Sequence, residues 1–500
     1  MCHRHHYQWH HIFLFCLSEC DTYRRSCIDL TGTYGALWVL PVNVLGALAL
    51  SRAPKWTRAW EVDTMAGLIR RCARAAALVA LAACLLAVTG ARAPFGQAGT
   101  ARAKSLPGSS VAARARVPGA GVPGWAGRIG GLPRPAGPYG AQLDAVHALS
   151  ATNAWAVGYS CTTACSNLVT LIRHWNGRSW VTVPSPNGAK FSALNAVSAV
   201  SAGDAWAVGS YCQSGCGSSA EVDRTLALRW NGRSWSKVAT PDPARLSFLN
   251  DVSVVSATNA WAVGYSCKKG SGCPNSYSPV PSTVLLHWNG RSWIQVTVRS
   301  TGFAGSFNAV DAVSAGDVWV AGYRCVSGCG TRSEVDRTLI LHWNGRSWSR
   351  IASPSPGSLA SLYALTFISA SDAWAVGAGG NGTLILRWSG RSWSEVASPG
   401  SGQASLFGVT AVSPTAAWAT GTICTKRCGT ASSIFRSLIV RWNGRSWAKV
   451  ASPDPNPGWD FLFGASATSA ANAWAVGSSC GIGCTRRQPL IAHWNGSGWR

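Results

Sequence analysis

Two phrases recur seven times between Leu143 and Arg500: Asp-Ala-Trp-Ala-Val-Gly and Arg-Trp-Asn-Gly-Arg-Ser-Trp, each with small variations. The first centres on Trp155, Trp206, Trp261, Trp319, Trp374, Trp418 and Trp474. The second brings tryptophans in pairs: Trp175 with Trp180, Trp230 with Trp235, Trp288 with Trp293, Trp343 with Trp348, Trp388 with Trp393, Trp442 with Trp447, and Trp494 with Trp499. Together they account for 21 of the 27 tryptophans, at a period of roughly 44 to 58 residues. A repeat of that length is one supersecondary unit that buries its apolar face only against its neighbours, so the period predicts an array or a propeller.

Each unit reads as four short strands. In the second unit the alternating run Leu194 to Ser201 is followed by a turn, then Ala205 to Ser210, then a polar loop with cysteines. Thr225 to Trp230, the Asn231-Gly232 step and Ser234 to Ala239 complete it. Asn-Gly is a strong hairpin signal, read here as a type I′ turn with positive φ at both central residues. Alternation puts Leu226, Leu228, Trp230 and Trp235 on one face. The proline-bearing connector Thr240-Pro241-Asp242-Pro243 ends the unit, because proline cannot donate to a ladder. Four-stranded units with short turns predict an all-β chain: a seven-bladed β-propeller of four-stranded antiparallel blades over 143–500.

These blades resemble those of kelch-type and Asp-box (BNR-like) β-propellers, and are more similar still to the Trp-rich Asp-Ala-Trp-Ala-Val-Gly repeat proteins secreted by actinobacteria. The Ser-x-Asp-x-Gly-x-Thr-Trp box and the paired glycines of a kelch blade are absent from this sequence. The resemblance therefore implies the fold and does not bring a sialidase-like or oxidase-like activity with it.

The last unit stops at Gly498-Trp499-Arg500, where other units continue through a valine or isoleucine. Trp125 to Pro135 loosely echoes Trp348 to Pro356, which suggests that 125–135 closes the last blade. A linker with a frayed last strand is the alternative.

Residues 1–142 are of another kind. Met65 opens a basic stretch followed by the apolar run Ala75 to Val88 and by Ala91-Arg92-Ala93, the three parts of a secretory signal peptide. That core is too short to span a bilayer. The expected division is an over-extended start at 1–64, a signal peptide at 65–93 and a flexible Gly/Ala/Pro/Arg-rich linker at 94–142. Leu81-Ala82-Ala83-Cys84 also matches a lipobox, so a lipid anchor at Cys84 on the cell surface is the alternative to free secretion. The five histidines between positions 3 and 11 have no fold around them to build a metal site.

Export agrees with the cysteines. Twelve of 18 lie in the repeats, paired within the loop between second and third strands: Cys161/Cys165, Cys212/Cys216, Cys267/Cys273, Cys325/Cys329, Cys424/Cys428 and Cys480/Cys484. The fifth unit, whose loop shrinks to Gly379-Gly380-Asn381-Gly382, has none. Pairs that come and go with loop length predict local disulfides. Zinc is the rival reading, but two cysteines give half a tetrahedral site.

From Leu143 on, 28 Lys+Arg stand against 14 Asp+Glu, a balance that attracts polyanions. Much of the excess is one arginine per hairpin, such as Arg178, Arg233 and Arg291, which makes a rim of solvated tips. No nucleic-acid-binding motif is present.

No catalytic residue, cofactor site or metal-ligand cluster is expected. His174, His287, His342 and His493 share a repeat position with Arg229, Arg387 and Arg441, so they read as surface strand residues. His147 reads as structural. Asp204, Asp317 and Asp372, with Asn153, Asn259 and Asn472, read as caps of turn amides. The repeated tryptophans read as blade-to-blade packing, so function is sought where blades differ. The candidates on the loop face are Tyr277 in the long third loop, Trp459 and Phe461 in the last connector, and the twin stretches holding Glu221, Asp223, Glu334 and Asp336. Asp–Arg pairing inside each stretch is the structural explanation of those acids.

The expected function is a secreted, non-catalytic binding or scaffolding module, monomeric and without an integral membrane span. Its expected partner is an envelope polysaccharide or an extracellular protein. The alternatives are an extracellular glycan-active hydrolase or lyase and a purely structural surface protein.

Overall fold

The structure is a computed structural model, and it describes residues 140–500 except 162–166, 219, 268–280, 299–303, 330, 332, 381, 431–432, 483 and 485. Among the described residues there are strands and no helix. In the first blade Ala141–Ser150, Asn153–Cys161, Leu168–Trp175 and Trp180–Thr182 pair antiparallel in chain order. The same order repeats along the chain as a β-propeller of four-stranded antiparallel blades. Neighbouring blades touch through single parallel bridges where a first strand starts, as at Asp223–Leu246 and Phe435–Trp459. In the last unit a bridge joins Trp494 and Trp499, and His493 and Arg500 exchange backbone hydrogen bonds. The 125–135 stretch, the leader and Cys84 lie outside the described residues.

The repeat phrases have direct structural reasons. The glycine ending Ala-Trp-Ala-Val-Gly lies opposite a bulge in the first strand. A Cβ at Gly158 would fall 2.0 Å from the Gln142 carbonyl oxygen, and at Gly209 equally close to that of Ala193. Only glycine allows this approach. The hairpin between third and fourth strands departs from the expected turn. Trp175 pairs with Trp180, leaving a four-residue loop in which Gly177 has φ 86° while Asn176 is not in the positive-φ region. Asn176 acts through its side chain, whose Oδ1 accepts from the Arg178 and Ser179 amides.

The direct Trp–Trp pairing builds the seams between blades. Trp155 packs against Trp230 and Trp235 of the next blade at 5.0 and 5.3 Å. Trp206 meets Trp288 and Trp293 at 4.9 and 5.0 Å, and Trp374 meets Trp442 and Trp447 at 4.9 and 5.0 Å. Trp474 of the last unit meets Trp175 and Trp180 of the first at 5.0 and 5.1 Å. Each second-strand indole therefore fills the wedge to the following blade, and the final wedge joins the end of the chain to the start of the described region.

A second seam lies nearer the axis, where first strands pack on one another. Ser198 Oγ accepts from Val254 N, Ser253 Oγ from Ala312 N, Thr410 Oγ1 from Ala467 N, and Ser466 Oγ from Ala148 N, at 3.0 to 3.2 Å. Asp311 fills the same place and accepts from Phe367 N at 2.8 Å. His147 is the equivalent residue of the first blade. It lies against the Ala199 backbone, and burial holds its imidazole neutral by lowering its pKa to about 4.

The Asp/Asn that opens the first phrase does not cap turn amides. It bonds across to the His/Arg of the third strand: Asn153 with His174 at 2.9 Å, Asp204 with Arg229 at 3.1 Å, Asp317 with His342 at 2.8 Å, and Asn472 with His493 at 2.7 Å. The partner then lies on the seam tryptophan. His174 is 4.3 Å from Trp155, His342 is 4.0 Å from Trp319, and the Arg387 guanidinium is 5.0 Å from the Trp374 ring. Histidine and arginine interchange here because both are planar donors that stack on indole. They are parts of the seam rather than surface residues.

Candidate functional site

First strands begin on the face where the cysteine loops lie, because Trp459 pairs with Cys480 and Ala141 with Ser160. Four loops are closed by disulfides: Cys212–Cys216, Cys325–Cys329, Cys424–Cys428 and Cys480–Cys484. Cys161 and Cys267 are also disulfide-bonded. Their expected partners differ from the other cysteines in one respect: Cys165 and Cys273 lie outside the described residues, so the pairs Cys161/Cys165 and Cys267/Cys273 stand as expectations from the sequence. Tyr277, in the same loop as Cys273, also lies outside the described residues.

Trp459 and Phe461 belong to the first strand of the last blade, Trp459–Ser469, rather than to the connector before it. The connector ends at Gly458, before both aromatic residues. Trp459 is half-buried, and its Nε1 donates to the Ser433 carbonyl at 2.7 Å. Phe461 is buried, stacked between Phe435 at 5.6 Å and Phe463 at 5.9 Å. The aromatic run continues into neighbouring blades, with Phe407 5.6 Å from Phe463 and Tyr363 5.7 Å from Phe407.

This run follows one position of the first strands. The residue after the repeated apolar residue of each first strand is Asp144, Asn195, Asn250, Asn308, Tyr363, Phe407 or Phe463 in successive blades. Three of these are linked amides: Asn195 Nδ2 donates to the Leu249 carbonyl at 2.7 Å, and Asn250 and Asn308 donate to those of Phe307 and Leu362 at 2.8 Å. The inner wall is thus polar along the earlier first strands and aromatic along the later ones. Phe407 and Phe463 keep part of their surface open. Aligned on the repeated glycine, this position changes from acid or amide to aromatic along the chain.

At the junction of last and first blades, Arg487 donates to Gln142 Oε1 at 2.6 Å, and Gln142 Nε2 donates to Asp144 Oδ1 at 2.5 Å. Burial raises the Asp144 carboxyl to about 7, against the opposing effects of Gln142 and Arg487. The pair Arg436–Asp460, at 3.0 Å, sits beside Trp459 on the neighbouring strand.

The twin acidic stretches fold alike. In each, the carboxyls and the first cysteine sulfur lie within 4.8 Å of one another, as Cys212, Glu221 and Asp223 and as Cys325, Glu334 and Asp336. The expected pairing of Asp336 with its neighbouring arginine does not appear among the described ion pairs. Arg337 Nη1 donates to the Asp336 and Gly357 carbonyls, and Arg224 bonds Gln213 and approaches Asp242. Burial pushes the Asp336 carboxyl up to about 7; the adjoining Glu334 carboxyl adds to the rise and Arg337 opposes it. Sequence spacing hid these clusters, since the strand register alone sets Cys325 opposite Asp336.

No family model matches the chain, and no curated protein does. Solved structures similar to it are β-propeller proteins. YCF48 bound to a D1 peptide is 13% identical with a TM-score of 0.41, covering 68% of this chain and 91% of that one. YjhT is 11% identical with a TM-score of 0.39, covering 64% and 98%. A PL25 ulvan lyase bound to a GlcA–Rha3S saccharide is 12% identical with a TM-score of 0.43, covering 76% and 95%. Likenesses of this size carry nothing about ligand or activity, and the fold assignment rests on the chain's own strand order. Among the described residues no helix is long and apolar enough to cross a membrane.

Proposed function

We propose that this chain is a secreted, seven-bladed propeller that binds envelope polysaccharide without catalysis, using the loop face around Trp459. The observation that carries the reading is the change of the inner wall from linked amides to the connected rings of Tyr363, Phe407, Phe463, Phe461, Phe435 and Trp459. Sugars present apolar C–H faces to aromatic rings and hydroxyls to amides, and both kinds of partner occur on these first strands. The repeated tryptophans are committed to the seams, so they are not available as a platform. Loop disulfides suit an oxidising compartment, which supports export through a signal peptide at 65–93.

A glycan screen on the purified chain tests this, with Trp459→Ala and Phe463→Ala as variants. Binding that weakens in both, with folding retained, supports the reading; binding to proteins alone replaces the glycan with an extracellular protein partner. A glycan-active hydrolase or lyase is the second reading, motivated by carboxyl pairs as close as Glu334 and Asp336. The burial of Asp223 and Asp336, at 8% and 7% exposure, disfavours contact with a substrate. Release of reducing or unsaturated ends from a bound polysaccharide would decide for that second reading.

A further inference from the structure

The Glu-Val-Asp-Arg stretches of the second and fourth blades place two carboxyls together in each. The cysteine sulfurs beside them are committed to disulfides, so the ligand atoms on offer are carboxylate oxygens. In the fourth blade Asp336 is only 7% exposed, and its Oδ1 is buried with no hydrogen-bond partner. The adjacent Arg337 donates its Nη1 to the Asp336 and Gly357 carbonyls and forms no ion pair with Asp336 among the described residues. Two adjacent carboxylates, one of them buried, repel each other unless a cation or a proton stands between them.

We propose that Glu334 and Asp336 bind a hard divalent cation of the calcium class. Oxygens spread over no more than 4.8 Å fit around one ion at the roughly 2.4 Å ligand distance of calcium. An all-oxygen set selects calcium-like ions over zinc, which prefers nitrogen and sulfur. Water and loop carbonyls complete the coordination. The ion ties the cysteine-clamped loop to the third strand. The Asp336 amide already donates to the Ser358 carbonyl of the next connector, at 2.8 Å, so the ion also stiffens the loop face. With two protein carboxylates the affinity falls in the weak range of extracellular modules, on the order of 10⁻⁴ to 10⁻³ M.

The test uses the full chain, stripped with EDTA and titrated with calcium chloride, with magnesium chloride as control. Melting is followed alongside terbium luminescence sensitised by the indoles. The expected result is a melting temperature that rises by several degrees with calcium, and terbium luminescence that calcium reverses. Asp336→Asn should remove both effects. This variant should fold, because it removes a buried charge while keeping shape. Glu334→Gln provides an independent variant with the same expected loss. Two outcomes overturn the proposal. One is a wild-type chain indifferent to calcium and terbium, its carboxyls then sharing a proton. The other is a calcium response undiminished in Asp336→Asn and in Glu334→Gln, the ion then binding elsewhere.

Discussion

Trp474 lies edge-on against Trp180, with ring centroids 5.1 Å apart, although the two residues belong to the last and first blades. The contact repeats the geometry of Trp206 with Trp293 inside the chain, at 5.0 Å. The closing seam is therefore built like an internal one.

Trp474→Ala should cost about 3–5 kcal/mol, the range for emptying a buried tryptophan site. Trp206→Ala should cost a similar amount. Denaturant unfolding of both variants checks this. A closing seam that loses less than about a third of the internal one would mean that the blades do not close as described.

Ala416 stands where other blades carry Asp or Asn, and Arg441 Nε, its would-be partner, is buried without a hydrogen bond. Asp204 and Arg229 show what is missing. Ala416→Asp should therefore stabilise the chain by about 1 kcal/mol, as expected for a charge-assisted bond to a previously unsatisfied donor. Destabilisation would show that the sixth blade has adapted its packing to alanine.

Burial raises the carboxyls of Asp251 and Asp311 to about 7 and about 6, from an ordinary value of 3.8, against the backbone amides that each accepts. The folded state then holds protons that the unfolded state releases. Stability contributed by these groups is complete below about pH 4 and falls as pH rises through 6 to 7. Asp311→Ser, which restores the residue found at Ser198 and Ser253, should raise stability at pH 8 and flatten the profile. Melting curves from pH 4 to 8 would contradict this if the variant kept the wild-type slope.

Each described disulfide spans a sequence separation of 4, so it restrains only its own loop. Removing one, as in Cys325→Ser with Cys329→Ser, should cost about 2 kcal/mol or less. The fifth blade keeps its strands Asp372–Gly379 and Gly382–Trp388 without a pair. Reduction should accordingly lower the melting temperature without abolishing the circular dichroism of the folded chain. Global unfolding on reduction would show that the loops do more than clamp themselves.

The blades were legible in sequence because tryptophan, glycine and Asn-Gly recur at fixed places, and each has a steric task that no other residue performs as well. Gly158 and Trp155 are of this kind. The partnership of Asp204 with Arg229 was not legible. Its two residues are 25 apart, and only the register of second on third strand brings them together. The same holds for Glu334 and Asp336, whose meeting with Cys325 depends on a bulge beyond that cysteine. The aromatic side of the inner wall escaped notice for a different reason. Phe407 and Phe463 look like ordinary core residues of alternating strands, and their distinction lies only in replacing the asparagines of earlier blades. Trp459 was singled out in sequence as a residue that breaks the repeat, but its place as the outer end of that aromatic run required the fold.

Under the proposed function, repeated residues build the ring while the unrepeated aromatic run of the last blades recognises ligand. Titrating envelope polysaccharides into wild type, Trp459→Ala, Phe463→Ala and the seam variant Trp206→Phe tests it most directly. At least tenfold weaker binding is expected for the first two variants with little change in melting temperature, as for loss of an aromatic contact of about 1.4 kcal/mol or more. Unchanged affinity is expected for Trp206→Phe despite lower stability. Affinity that follows the seam tryptophan and ignores Trp459 and Phe463 would contradict it.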